Sequence, residues 1–370
     1  MSEHYDIAIV GAGMAGASLA AAIGKRASVV VLEAEGAPGY HATGRSAAFW
    51  EECYGGPDIV PLTLASGPFL KENGFLTRRG ALYLGRSDDE AAIERFVQDF
   101  GPTGATFERI GREDLLDLAP GLRAGWDRAI WQSSCADIDV AALHHHFIGS
   151  ARGDGTAIAC NARLSRAEYA DGRWHLELAD GRAFVVDTLV DAAGAWADEI
   201  AALAGVRPIG LQPMRRTVVQ VRVDPQPASD LPLCLDIKGD FYFKPENGRI
   251  WLSPHDETPS PPCDAAPEEI DVATAIDRLE GVVDWRIEAI ERKWAGLRTF
   301  APDRRPVFGF DPRQPGFFWC AGQGGFGIQT SPAAAHLCAS LLLGEAPSPG
   351  SAEPDVSGIA TATYSPERFG

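Results

Sequence analysis

Three things are scarce in this 370-residue sequence, and each scarcity excludes a class of protein. Positive charge is in deficit, with 33 Lys and Arg against 51 Asp and Glu, a net charge of −18 and a pI of about 4.8. Such a surface repels phosphate backbones and acidic lipid, so neither nucleic acid nor an anionic membrane is an expected partner. Cysteine lacks pattern: Cys53, Cys135, Cys160, Cys234, Cys263, Cys320 and Cys338 contain no C-x-x-C pair. An odd, scattered set suits reduced thiols in the cytoplasm better than a disulfide framework or a zinc site. Long apolar runs are missing as well, so no transmembrane segment is expected. The polar start Met1-Ser2-Glu3-His4-Tyr5-Asp6 passes straight into a short apolar run, which leaves no room for a signal peptide.

What is present is a folded chain, 45% hydrophobic, long enough for about two domains. Residues 5–33 organise it. The run Ile7-Ala8-Ile9-Val10 enters Gly11-Ala12-Gly13-Met14-Ala15-Gly16, an Ala-rich segment follows, and Val29-Val30-Val31-Leu32 ends in Glu33. This is the pattern of a strand, helix and strand holding an adenine dinucleotide. Gly11 permits the turn, Gly13 lets backbone approach a pyrophosphate, Gly16 allows close helix packing, and the helix N-terminus offers unpaired N–H groups to phosphate. Glu33 is placed to accept both hydroxyls of an unphosphorylated ribose. A second Gly-containing loop at 39–48 carries Arg45 toward phosphate and Ser46 as the N-cap of a small-residue helix, with Phe49, Trp50 and Tyr54 on that helix or its exit.

Further on, helices are expected over 57–71, 88–100, 111–118 and 140–152, with strands at 81–85 and 129–132. His144, His145 and His146 fan out by about 100° each on their helix and cannot share one metal. A strand-rich part covers 156–160, 164–169, 174–178 and 183–186, with Asp171-Gly172 and Asp180-Gly181 as hairpin turns. A strand at 188–194 ends in small residues before a helix at 196–203. A second sheet is expected from 218–223, 233–237, 241–244 and 249–252. A Pro-rich loop spans 253–267 and a helix 268–279. Strands at 307–310 and 317–321 lead into Gly322-Gln323-Gly324-Gly325-Phe326-Gly327, which opens a helix through 331–343. The fold class is α/β in two parts, a Rossmann-like dinucleotide domain (1–75, 135–205, 300–370) interleaved with a substrate domain on a mixed or antiparallel sheet (76–134, 206–299).

No second strand–GxGxxG–helix unit follows, so a built-in NAD(P)H site is not expected, and the one dinucleotide is itself the redox group. That points to FAD, whose anionic reduced ring a helix dipole at the late glycine segment can stabilise. Arg215, Tyr242 and Arg298 are candidates to hold an anionic substrate, because guanidiniums grip carboxylates by paired N–H bonds and a phenol adds another donor.

Residues 39–48, Ala136-Asp137-Ile138-Asp139, Ala192-Ala193-Gly194-Ala195-Trp196, Gly205-Val206-Arg207-Pro208, 294–300 and 323–331 together resemble the D-amino-acid oxidase superfamily of FAD enzymes, most closely bacterial D-arginine dehydrogenase. The resemblance implies oxidation of a D-amino acid by hydride transfer from Cα to flavin N5, giving an imino acid and then a 2-oxo acid and ammonia. It implies a carboxylate site of Arg215, Tyr242 and Arg298, backbone near substrate at Gly296 and Gly325, and a gating aromatic at Tyr54 on a mobile lid. FAD would be held non-covalently, with no cysteine in 294–300, by Gly11, Gly13, Met14, Ala15, Gly16, Glu33, Arg45, Ser46, Ala47, Ala48, Ala162, Ala193, Gly194, Trp196, Gly296, Gly322, Gly324, Gly325, Phe326, Gly327 and Ile328. Two positions depart: Ala81 stands where the arginine enzyme has a glutamate, and Phe49 replaces a histidine near the amine. With Trp50 and Leu233-Cys234-Leu235 these suggest neutral, apolar or broad side chains, Glu51 and Glu52 being the remaining partners for a cation or else a solvated lid. The electron acceptor is a quinone-type compound or O2. Alternatives are an oxidase of glycine or a secondary amine, a 2-hydroxy-acid dehydrogenase, and a non-enzymatic flavoprotein subunit.

Overall fold

The computed structural model describes residues 3–346 and 353–370. Apolar runs with no polar alternate positions require strands buried on both faces. Those at 7–10, 29–32, 188–191 and 317–321 form the centre of an eight-stranded sheet. Glu3–Val10 pairs in parallel with Val29–Leu32 on one side and Ala183–Asp191 on the other, which pairs in parallel with Phe317–Ala321. Alternation within each run divides the core. Ile7, Ile9, Val29, Val31, Val190 and Phe318 pack with the helices Met14–Ile23 and Ser331–Leu343, whereas Ala8, Val10, Val30, Leu32, Leu189 and Trp319 pack with the helix Ala197–Leu203. The strands expected separately at 183–186 and 188–194 are one. Ala183–Asp191 pairs antiparallel with Arg173–Leu178 and then, further along, parallel with Phe317–Ala321.

The second sheet has nine strands and is antiparallel except where Leu233–Asp236 runs parallel to Ala81–Arg86. Its longest member, Arg286–Phe300, was not foreseen in the sequence. Its first half carries Arg286, Glu288, Glu291, Arg292 and Lys293 and is mostly exposed at the sheet edge, so the period-2 signal is hidden. It pairs antiparallel with Gln212–Asp224, in a register that sets Met214 opposite Arg298 and Arg216 opposite Gly296. Strands of the first sheet come from 3–32, 157–191 and 307–321, those of the second from 81–132 and 212–300, so the chain alternates between them. Among the described residues no helix is long and apolar enough to cross a membrane.

Two expectations about loops are corrected. Ser46 caps no helix: Thr43–Arg45 is a single 3-10 turn, Ser46 is extended, and Phe49–Trp50 is a short strand on Ala136–Ile138. Aromatic residues favour that half-buried pleated setting. Nor does the late glycine segment open directly into a helix. A turn separates it from Ser331–Leu343, whose first amides pack inward, Ala333 N–H donating to Ser66 Oγ at 3.1 Å.

The first glycine loop is held by sterics. Gly11 has φ of +103°, and a Cβ there would lie 2.6 Å from the Ala192 carbonyl oxygen, while a Cβ at Gly16 would overlap the Gly11 carbonyl. Gly16→Ala therefore overpacks a backbone-lined contact. It is expected to cost about 1–3 kcal/mol, read as a lowered denaturation midpoint at unchanged m-value.

Candidate active site

A cleft runs between the two sheets. Its nucleotide end is lined by Gly11, Gly13, Met14, Ala15, Glu33, Ala162, Ala193, Gly194 and Trp196. Glu33 is shaped by backbone: one carboxylate oxygen accepts from Ala12 N–H at 2.8 Å and the other from Glu35 N–H at 2.9 Å. The Met14 amide, expected to be free for phosphate, is already bound by Thr43 Oγ1 at 2.9 Å. Thr43 was missed because a threonine in a polar loop carries no periodic signal. His144 supports the loop from beneath, Nε2 lying 2.9 Å from the Ala12 carbonyl, and His146 packs against Phe69 and Phe75.

Arg45, Ser46 and Ala47 line the middle of the cleft with Gly296, Gly322, Gly324, Gly325, Gly327 and Ile328. The Arg45 guanidinium also has protein partners. It donates to the carbonyls of Ala265 (2.9 Å) and Ala295 (3.3 Å) and pairs with Asp264, which closes the segment around 263–265 over the cleft. Gly16, Ala48 and Phe326 lie outside the lining. Gly16 packs the helix, Ala48 joins a core with Met14 and Trp50, and Phe326 is buried against Phe300 and Ile59.

At the far end the structure exchanges one arginine for its neighbour. Residues 215 and 216 alternate on Gln212–Asp224, and successive side chains point to opposite faces. Arg215 shares its face with Val219, Val221 and Val223, which pack on the helix Glu269–Val282, and there it pairs with Glu268 and with Asp271 at 3.0 Å. Arg216, on the face of Val218, lines the cleft with Tyr242 and Arg298. That valine periodicity was the signal that chooses 216 over 215. Arg216 Nε donates to the Asp256 carbonyl at 2.7 Å and Nη2 to Glu257 at 3.3 Å, while Nη1 and the Tyr242 hydroxyl are buried without a partner among the described residues. Burial first, and then Arg298, push the Arg216 guanidinium below its ordinary value. Arg298 donates to the Tyr54 hydroxyl, and a Cβ on Gly325 would lie 2.7 Å from both Arg298 Nη1 and Tyr54 Oη. Tyr54 thus braces Arg298 from behind the lining. His255, missed in the sequence, is pushed down to about 3 by burial and by Arg216 and Arg298, and its Nδ1 meets the Gly239 carbonyl.

Phe49 backs this end, edge-on to Tyr54 (5.3 Å between centroids) and Tyr242 (6.1 Å), in a cluster with Ala81, Leu233 and Leu235. Glu51 and Glu52 are not on a solvated lid. Both are buried, Glu51 accepting from the Tyr83 hydroxyl at 2.6 Å and Glu52 from Thr106 N–H at 2.6 Å.

The likenesses to known proteins agree with this geometry. The family model described as FAD dependent oxidoreductase, DAO, matches residues 6–341. The chain belongs to the DAO family. Glycine oxidase of Geobacillus kaustophilus is 26% identical over 360 residues, covering 92% of this chain and 94% of that protein. Among solved structures, L-proline dehydrogenase from P. horikoshii superposes with a TM-score of 0.82 at 22% identity, covering 92% and 94% of the two chains. Iminodiacetate oxidase from Chelativorans sp. BNC1 gives 0.76 at 24%, covering 97% and 98%. These likenesses reach the family and its fold, not D-arginine as a substrate.

FAD is the cofactor of this DAO-family oxidoreductase, and the cleft fits it: a glycine turn at Gly11 where a Cβ would meet the Ala192 carbonyl, the Glu33 carboxylate in the lining nearby, and buried polar atoms without partners among the described residues at the other end. Two variants separate the neighbouring arginines. Arg216→Met should raise the Kd for a carboxylate ligand at least tenfold by calorimetry. Arg215→Met should leave that Kd within twofold.

Burial pushes the Glu51 carboxyl up to about 7, against the opposing hydrogen bond from Tyr83. A folded value above the unfolded 4.5 means that the native state binds this proton more tightly, so the contribution is complete below 4.5 and is lost as pH rises through about 7. Relative to Glu51→Gln, the wild type should lose about 3 kcal/mol between pH 4.5 and 8, measured by urea titration at each pH.

Proposed function

We propose that this protein oxidises a small neutral α-amino acid, D-configured or achiral, at its Cα–N bond. The imino acid formed is hydrolysed by water to a 2-oxo acid and ammonia. One observation carries the reading: Arg216 Nη1 and the Tyr242 hydroxyl lie buried, unpaired among the described residues, in the same lining as Arg298 at one end of the cleft. Unsatisfied buried donors of this kind are costly unless a ligand accepts them, and a carboxylate does so.

FAD, when bound, supplies the acceptor for the hydride leaving Cα. The residues supply orientation: Arg298 and Arg216 hold the carboxylate, Tyr242 braces it, and Tyr54 steadies Arg298. Gly11, Gly13, Glu33, Ala193, Gly194, Trp196 and the glycines of 322–327 would hold the nucleotide and ring without a covalent bond, since 294–300 contains no cysteine. A neutral side chain is supported by the lining, whose carboxylates are Glu33, Glu35 and Glu199, none on the strands that carry Arg216, Tyr242 or Arg298. Ala81, at the position of the arginine enzyme's glutamate, is sealed in the core, and the buried Phe49 packs edge-on against Tyr54 and Tyr242 at this end. The free thiols suit a cytoplasmic enzyme.

A second reading, oxidation of glycine or a secondary amine with electrons passed to O2, is favoured by the full-length likeness to glycine oxidase. One experiment covers both. The FAD-loaded protein is mixed without oxygen with glycine, sarcosine and the D- and L-amino acids, and flavin absorbance is followed before and after air is admitted. Bleaching by small D-amino acids or glycine is expected, with kcat/KM rising from about pH 7 to 10 as the substrate ammonium deprotonates; His255 stays neutral throughout. Bleaching only by D-arginine and D-lysine, or by no amino acid, would refute the proposal.

A further inference from the structure

The two guanidiniums at the far end of the cleft differ in their counter-ions. Within 4.0 Å, Arg298 has no carboxylate among the described residues, and its polar side-chain partner is the Tyr54 hydroxyl. Arg216 has two. Asp256 lies 3.9 Å from Nε, though its oxygens are engaged by Thr217 N–H (2.7 Å) and Oγ1 (3.0 Å). Glu257 accepts directly from Nη2 at 3.3 Å and is held from outside by Arg304, whose Nη2 lies 2.8 and 2.9 Å from its two oxygens. Arg304 is stacked 4.0 Å over the Phe300 ring. His255 and Arg304 both adopt positive φ, +55° and +65°, so backbone conformations uncommon for such residues flank the Arg216–Glu257–Arg304 chain on both sides.

We infer that Glu257 sets how many negative charges the cleft accepts: in direct contact with Arg216 and acting on Arg298 only at longer range, it leaves Arg298 as the cation with no carboxylate within 4.0 Å among the described residues, so the site takes a monocarboxylate and discriminates against dicarboxylates. Arg216 remains a hydrogen-bond donor through Nη1 but adds little net charge. Glu257 is therefore a positioning and specificity residue that acts through Arg216 and does not touch substrate. This rests on Arg216, Tyr242 and Arg298 being the carboxylate seat proposed above.

Propanoate and malonate, acids of the same carbon count with one and two carboxylates, test it by calorimetry on the FAD-loaded protein at low salt. Wild type should bind propanoate at least as tightly as malonate. A merely structural role would weaken both acids alike, whereas a charge role moves their ratio. Glu257→Gln, which can still accept from both arginines, should raise the malonate-to-propanoate affinity ratio about fivefold or more. Arg304→Asn, which suits the positive φ, should lower that ratio. Glu168→Gln, at an exposed position on the edge strand Leu164–Ala170, should leave it unchanged. A ratio within twofold of wild type in Glu257→Gln, or a rise in Arg304→Asn, overturns the inference, and the second variant decides if the first does not fold. If wild type binds neither acid, the carboxylate seat itself falls, and this inference with it.

Discussion

Everything at the working end of this protein depends on holding a cation, Arg298, inside the molecule with no carboxylate within 4.0 Å among the described residues. Removing a guanidinium from water costs several kcal/mol even after relaxation, and at Arg298 that cost is opposed by Tyr54, Tyr242 and, at longer range, Glu257. Such a charge keeps its position only if the scaffold around it is over-determined. Here the scaffold is the long antiparallel pairing of Gln212–Asp224 with Arg286–Phe300, supported by Gly325, which leaves no room for any atom beyond Cα between Arg298 and Tyr54. The unpaired charge is then available to a ligand, and electrostatics inside a partly desolvated cleft are stronger than in water.

The opposite end of the same cleft uses backbone where this end uses charge. Gly11 and Gly16 bring strand, turn and helix closer than any side chain would permit, and Glu33 is oriented by two amides. Between the ends, Arg45 ties the nucleotide-side loop to 264–265 and Ala295. It joins segments distant in the chain that the two sheets bring together. Net charge fits this division. A chain of strongly negative net charge surrounds a cleft whose far end carries Arg216 and Arg298, so an anionic group meets attraction only there.

Much of the fold was legible because its signals are local. Apolar runs at 7–10, 29–32 and 317–321 could only be strands buried on both faces, and the spacing of Gly11, Gly13, Gly16 and Glu33 is itself the geometry of a turn, a helix start and a strand end. Where a local signal was weak or misleading, the reading failed. Arg286–Phe300 is a charged edge strand whose alternation is hidden, and Ser46 imitates an N-cap although Phe49–Trp50 found a strand partner at 136–137. Glu51 and Glu52 look like lid residues but are buried by aromatic and backbone partners contributed from elsewhere in the chain.

By itself the sequence determined the dinucleotide loop and the family, since each is set by short-range spacing or by motifs kept within one segment. Only the tertiary structure decided which of two adjacent arginines faces the cleft, that Tyr54 braces Arg298, and that Asp256, Glu257 and His255 gather around Arg216. The reason is physical: a strand sends neighbouring side chains to opposite faces, and which face meets the cavity is fixed by what packs on the other. For Arg215 that is the helix Glu269–Val282, more than fifty residues away in the chain.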